Sequence, residues 1–476
     1  MAPMVSLLAL WLHPADLPKG QQELQSSPKR THRTGLALGR AGRLFLALGT
    51  FAGHERRVGA SNVGGAGRCS TWFFPPAPPL HATDHNGISL PDVCFNRTGP
   101  HHVFVIGDWG GVLLDPSKSS VPVPADKRSP KFPGFARTFV NGVDDVAQLR
   151  VASQMKRRAP TSKPDYILNM GDNFYWGGIK TRCGSPAYKH VATGQWGPVF
   201  EDIYRGPGID GLQWLGVLGN HDYGGWKFTS AWDQAIAYTW GGPQSTGRWM
   251  TPAQYWKAKV HYSDFSVDYY FVDSNYFSTF PKDVDQEHNL CGFLHNSAPT
   301  TCGAQGPTSL ENCYPWFQKL WQEQLTWLDV NLARSTADWQ IVVTHFPPFW
   351  GQDDWKRVSR EHGIDLMVTG HQHLQSVWSQ GADGNFLNDT AVIISGGGGG
   401  ITSEGLPDAS GEDDMYGFMD LTLSREVITI EAISHGGSLR TTTHVHPRLP
   451  DEQARAEAVE TTKLRGSGSA ASPRAV

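Results

Sequence analysis

The sequence predicts an α/β fold whose strands carry their chemistry at their carboxyl ends. Three observations lead to it. Five short apolar runs of strand length each end in Gly-Asp, Gly-Asn-His-Asp, a lone His or Gly-His-x-His. Segments of helical period lie between them. The five endings reach from Asp108 to His373, so a boundary anywhere between would split the set, and the 476 residues are read as one large domain with flanking segments.

In chain order, residues 1–68 hold more Arg and Lys than Asp and Glu, and two apolar runs, Met4–Leu12 and Leu44–Ala52. Neither run is long enough to span a bilayer as a helix. The segment reads as a targeting leader or a disordered extension. Residues 69–100 are Pro-rich and read as a connecting arm, neither strand nor helix. The domain itself is expected over 101–447. Val103–Ile106 forms a strand into Gly107-Asp108. Val143–Met155 places Val143, Val146, Leu149 or Arg150, and Val151 on a helical spacing, closed by Lys156-Arg157-Arg158, and suits a crossover helix.

The run within Asp165–Met170 leads into Gly171-Asp172-Asn173-Phe174-Tyr175, and Trp214–Leu218 into Gly219-Asn220-His221-Asp222. Thr229–Tyr238 is a second helix, and Lys259–Asp273 two antiparallel strands around Ser263–Ser266. Ser278–Tyr314 loses periodicity and holds three cysteines; it is either a disulfide-tied loop at the mouth of the site or a surface insertion. A helix from Pro315 sets Phe317, Trp321, Leu325, Leu328 and Leu332 on one face. Ile341–Thr344 ends at His345, and Leu366–Thr369 at Gly370-His371-Gln372-His373. After Ala391–Ile394 the run Gly396–Gly400 lacks the Lys-Ser/Thr of a phosphate loop and reads as a flexible turn near the site. Tyr416–Leu423 and Glu426–Ile433 form a hairpin, and residues 448–476 a disordered tail.

Composition narrows the class. A net charge of −4 gives no sign of a nucleic-acid surface. Six Cys without CxxC spacing allow three disulfides in fifteen pairings and suit an oxidising compartment. The sequons Asn96-Arg97-Thr98 and Asn388-Asp389-Thr390 lean the same way. No run is a transmembrane helix.

At the strand ends stand Asp108, Asp172, Tyr175, Asn220, His345, His371 and His373, with His221 beside them. Carboxylate, amide and imidazole donors suit first-row metals, and a phenolate favours a hard ion such as ferric iron. Seven ligands exceed the needs of one four-coordinate zinc and suit two ions sharing a carboxylate, roughly 3.5–4 Å apart.

The ordered set Gly107-Asp108-x-Gly110, Gly171-Asp172-x-x-Tyr175, Gly219-Asn220-His221-Asp222, His345 and Gly370-His371-x-His373 resembles the purple acid phosphatases, within the calcineurin-like metallophosphoesterases. Order and length resemble the small, tartrate-resistant type, and the similarity covers roughly residues 100–445. The resemblance implies a four-layer αββα sandwich with two mixed sheets flanked by helices, and an acid phosphatase releasing inorganic phosphate. It implies that Asp108, Tyr175 and His373 hold Fe(3+), that Asn220, His345 and His371 hold a divalent partner (Fe(2+), Zn(2+) or Mn(2+)), and that Asp172 bridges them. His221 would protonate the leaving oxygen. Asp222 would orient or raise the pKa of that ring, or only shape the turn.

Small phosphorylated compounds and phosphoproteins are the expected substrates, and a secreted or lysosome-like location is expected. One departure stands out. Small members carry a second phosphate-contacting His soon after the strand-terminal one; Phe346–Glu361 holds none, and His362 does not match in place. Trp350, Trp355 and Tyr223 are candidate pocket walls. A phosphodiesterase or nucleotide pyrophosphatase and, from another class, a non-catalytic metal-binding protein are the competing readings.

Overall fold

The computed structural model describes residues 69–112, 138–185, 194–242, 244–284 and 289–448. The leader and the tail from Asp451 lie outside the described residues.

Alternation along the strands decides the layers. In β3 (His101–Ile106), Val103 and Val105 point to one side and Phe104 and Ile106 to the other, and all four are buried. A strand buried on both faces has to be covered twice. One side meets a second sheet, the other meets helices.

The first sheet runs β15 (Leu439–Val445), β14 (Ile428–Ser434), β13 (Gly417–Leu423), β3, β4 (Tyr166–Asn169), β5 (Trp214–Gly216) and β6 (Trp249–Met250). Its β3–β6 half is parallel and its β13–β15 half antiparallel. The second runs β1 (Ile88–Ser89), β7 (Trp256–Tyr262), β8 (Ser266–Val272), β9 (Trp339–Thr344), β10 (Leu366–Thr369), β12 (Ala391–Ser395) and β11 (Gln375–Trp378), with β2 (Val93–Phe95) also on β7. Strands β8, β9, β10 and β12 are parallel.

Between the sheets, Val103, Val105, Leu168 and Leu215 meet Tyr269, Phe271, Ile341, Val343 and Val368. Outside the first sheet lie α1 (Ala147–Ser162) and α2 (Trp232–Ala237), over a core that includes Trp109, Phe200, Trp214 and Trp249. Outside the second lie α3 (Leu310–Ala333) and α4 (Gln352–His362). Trp321, Leu325, Leu328 and Leu332 of α3 pack on Tyr270, Val342 and Met367, the face that the sequence predicts. The result is the four-layer α/β sandwich, with two mixed sheets flanked by helices.

Several boundaries differ from expectation. Helix α1 starts at Ala147 and buries Ala147, Val151, Ala152, Met155 and Ala159, leaving Leu149 41% exposed. The basic triplet does not close it: Lys156 donates to the Ile203 carbonyl and Arg158 pairs with Asp420 and Glu431, so these cations bind tertiary partners and the helix runs on to Lys163, whose left-handed φ of 52° ends it. Helix α3 starts at Leu310, because the Ser309 hydroxyl accepts the Asn312 N–H, and Pro315 sits one turn inside.

The 69–100 segment does more than connect. After the prolines it adds β1 and β2 to the sheet, and Phe73 is locked inside by two hydrogen bonds with Gln213. Helix α4 was not anticipated, although Asp353 and Asp354 in its first turn, Arg360 and His362 in its last, and Gly363 beyond mark both ends.

Three disulfides form, Cys69–Cys94, Cys183–Cys302 and Cys291–Cys313. The second ties the stretch after Tyr175 to the 278–314 loop. Beside it Asp233 accepts the Gly184 and Ser185 N–H groups through one oxygen while the other has no partner, and burial pushes its carboxyl up to about 7. The double variant Cys183→Ala/Cys302→Ala should lose about 2–5 kcal/mol in guanidinium unfolding.

Asp233→Asn keeps an acceptor oxygen and removes the charge. A raised folded pKa means the folded state binds the extra proton, so Asp233 costs stability as pH rises from about 4 through about 7. The variant should therefore gain on the parent by about 1–4 kcal/mol across that window and stay ahead above it. A constant difference from pH 4 to 8 would contradict this.

Candidate metal centre

Every predicted ligand sits just past the carboxyl end of a strand. Asp108 follows β3, Asp172 and Tyr175 follow β4, and Asn220 and His221 follow β5, all in the first sheet; His345 follows β9, and His371 and His373 follow β10, in the second. The turns are sewn together by backbone: Met170 N–H donates to Ile106 O, Asp108 N–H to Gly171 O, and Gly370 N–H to His345 O. Asp108, Asp172 and His371 have φ of 56°, 53° and 67°. Left-handed backbone is costly for residues with a Cβ and persists where surroundings over-determine it, as at functional sites.

The side chains form two crowded points. The Tyr175 hydroxyl lies 3.0 Å from Asp108 Oδ1, 2.9 Å from Asp172 Oδ2 and 3.2 Å from His373 Nε2. Asn220 Oδ1 lies 3.0 Å from His345 Nε2 and 3.2 Å from His371 Nδ1, and His345 Nε2 is 3.5 Å from Asp172 Oδ2. Asp172 therefore belongs to both groups. Ligand atoms about 2.1 Å from one octahedral ion stand about 3 Å apart at adjacent corners, so these spacings fit two adjoining metal shells. Ring tautomers agree. A carbonyl only accepts, so His345 donates Nδ1–H to Met170 O and His373 donates Nδ1–H to Thr402 O, and in the neutral rings that metal binding requires both Nε2 lone pairs would face the cluster.

Electrostatics also call for cations. Burial raises the Asp108 carboxyl, and burial, then the Asp108 and Asp172 charges, lift the Tyr175 phenol well above 10. Burial would also raise Asp172, but His345 and His221 hold it below the usual carboxylate range. Burial opposes protonation of His345, yet the Asp172 and Asp108 carboxylates push it up to about 9. Burial and the neighbouring His345 charge drive His371 well below 6.5. Without metal, the strongest charges on these groups are one another's; bound cations would reverse the logic and favour the phenolate.

His221 lies at the edge of this cluster. Its Nδ1–H donates to Trp176 O, its backbone N–H to Asp172 Oδ1, and its ring rests 4.5 Å from that of Tyr175. Asp222 accepts from Gly219 N–H and from both Asn173 N–H and the Asn173 amide, clamping two loops together, which fits the turn-shaping alternative. Asn173 was missed by sequence reasoning, although a polar residue between Asp172 and Phe174 was its signal.

His362 is not in the site; it pairs with Asp329 between α3 and α4. Trp350 does line the site, 4.8 Å from the His371 ring, whereas Trp355 is packed on Trp321 in the core and Tyr223 is buried on Asp273. The glycine run lies beside the site as expected: it is buried against Asp108 and Tyr175, and a Cβ on Gly400 would lie 2.0 Å from Tyr175 Cε2. Gly400→Ala should thus displace the phenol, lower Tm by the equivalent of about 1–3 kcal/mol and reduce metal content per chain. Unchanged metal content would show that Tyr175 is not held by this contact.

The chain is also similar to known proteins. The calcineurin-like phosphoesterase family model matches residues 101–375. Human (Homo sapiens) tartrate-resistant acid phosphatase type 5 is 23% identical over 372 residues, covering 73% of this chain and 91% of that protein. Purple acid phosphatase 7 of Arabidopsis thaliana is 26% identical over 263 residues, covering 53% of this chain and 65% of that one. Among solved structures, GAP50, the anchor in the inner membrane complex of Plasmodium, aligns with a TM-score of 0.46 and 16% identity over 76% of this chain and 94% of that one. With the family model spanning more than half of its length, this chain belongs to the calcineurin-like phosphoesterases, a family whose purple acid phosphatase members are among its homologues.

Proposed function

We propose that the protein is an acid phosphatase that hydrolyses phosphate monoesters and releases inorganic phosphate. The observation that carries this reading is the pair of ligand groups sharing Asp172, with His221 alongside. Asp108, Tyr175 and His373 would hold Fe(3+), and Asn220, His345 and His371 a divalent Fe(2+), Zn(2+) or Mn(2+). Two such cations supply charge neutralisation of the phosphate and an acidified water.

The chain's own residues do the rest. The turns at Asp108, Asp172 and His371 fix the donors before substrate arrives. The Trp176 carbonyl holds His221 with Nδ1–H donated, which leaves Nε2 as the nitrogen that would donate. To protonate a leaving alkoxide, the ring must carry both protons. Burial lowers its pKa, so activity should fall as pH rises through the acid range. Three disulfides and exposed Asn96 and Asn388 in the sequons support an oxidising, secretory or lysosome-like location, and no helix among the described residues is long and apolar enough to cross a membrane.

The test uses purified metal-loaded protein with p-nitrophenyl phosphate and bis(p-nitrophenyl) phosphate from acid to mildly basic pH. Faster monoester turnover with an acid optimum is expected, together with a visible tyrosinate-to-iron band that Tyr175→Phe abolishes. His221→Ala should lose about 10²–10⁴ in kcat at unchanged metal content. Faster diester turnover would favour the phosphodiesterase reading, and two bound metals without hydrolysis the non-catalytic one.

A further inference from the structure

Strand β7 alternates along its length: Trp256, Ala258, Val260 and Tyr262 are buried, while Lys257, Lys259 and His261 between them are only half-buried. Lys257 pairs across the ladder with Tyr270 of β8 and Lys259 with Asp268, and Tyr270 packs under α3. Both lysines therefore stand on the helix side of the second sheet. Around them a cavity of about 200 Å³ opens, lined also by Asp268 of β8, by Asn331, Arg334 and Ser335 at the end of α3, and by the 89–92 stretch beside β7. A water takes roughly 30 Å³ of the liquid, so a small ion with part of its hydration fits. This cavity is remote from the ligand cluster. Asp268 is level with Gln340 of β9, which lies five positions before His345, or about 16 Å along a strand.

The charges that line it do not cancel. Asp268 is already engaged: its Oδ1 lies 3.4 Å from Lys259 Nζ, and its Oδ2 accepts the Ser335 hydroxyl at 2.7 Å and the Tyr270 hydroxyl at 3.4 Å. The other carboxylate, Asp92, lies 2.8 Å from His261 Nε2. Lys257 and Arg334 remain, and among the described residues neither side chain has a hydrogen-bond or ion-pair partner. A cation held partly out of water without a counter-ion is costly, and a guanidinium fork matches two oxygens of a tetrahedral anion. The surplus is thus positive and of the right shape for an oxyanion.

We propose that this cavity is a second anion site, away from the metals, in which Lys257 and Arg334 bind a phosphate or sulfate group. The site involves no chemical step and does not depend on the phosphatase reading.

The test is amine footprinting of metal-loaded protein: brief acetylation with acetic anhydride at mildly basic pH, read by peptide mass spectrometry. A bound anion shields the Lys257 amine, so its labelling should slow about 4-fold with inorganic phosphate at about three times the dissociation constant. Inorganic sulfate should protect in the same way, and sodium chloride at equal ionic strength should not. Lys319, whose side chain is 76% exposed, serves as the control and should label at one rate throughout. Methylphosphonate separates the two sources of such a group: protection by it shows a site open to a phosphate carried on a larger molecule, and protection by the inorganic ions alone shows a site for the free ion; either result supports the site. Arg334→Gln, at an exposed position, should weaken binding about 10- to 100-fold and abolish the protection at the same concentration. By equilibrium dialysis the parent should bind one more phosphate per chain than this variant. An unprotected Lys257 in the parent, or protection and stoichiometry that survive Arg334→Gln, overturns the site and leaves the phosphatase reading untouched.

Discussion

One carboxylate joins the two halves of the site. Asp172 rises from the first sheet, yet its Oδ2 stands within reach of Tyr175 from its own turn and of His345 from the second sheet. Sheets packed face to face are about 10 Å apart, and donor atoms from both must meet within a few ångströms at one end. The inter-sheet core of Val105, Leu168, Val343 and Val368 sets the spacing that makes this possible. Packing in the middle of the sandwich thus sets the donor spacing at its rim.

The same requirement explains why so much of the rim is glycine and left-handed turn. The glycines at 107, 171, 219 and 370 let backbone pass within contact of the ligand carboxylates or of one another; a Cβ on Gly219 would lie 2.1 Å from Asp172 Oδ1. A buried relay then locks the turns: Trp109 Nε1–H donates to Asn169, the Asn169 amide to Asn173, and the Asn173 amide to Asp222. The ligand loops are anchored to the aromatic core through hydrogen bonds as well as through strands.

The strand-end motifs were legible because each is local: an apolar run, a turn residue, a donor. The α3 face was legible for the same reason, since Phe317, Trp321, Leu325, Leu328 and Leu332 repeat at helical spacing. What local pattern does not encode is which far segment will meet which. Lys156 and Arg158 look like a helix terminus until Ile203 and Asp420 are found beside them. Trp226 and His295 are 69 positions apart and carry no shared period, so only the fold brings their rings together. The β1 and β2 additions were hidden behind prolines, and two- or three-residue strands give alternation too short to read.

The Cys183–Cys302 link has a consequence for biosynthesis. Its halves are 119 residues apart, so at about 5–20 residues per second the second thiol leaves the ribosome about 6 to 24 seconds after the first. Until Cys291 emerges, the only other thiols outside the ribosome are Cys69 and Cys94, which belong to each other. A nascent chain therefore passes through a stage in which three thiols compete for one correct bond. Faithful maturation favours a compartment supplied with disulfide isomerase, and recombinant material made without one should contain scrambled species.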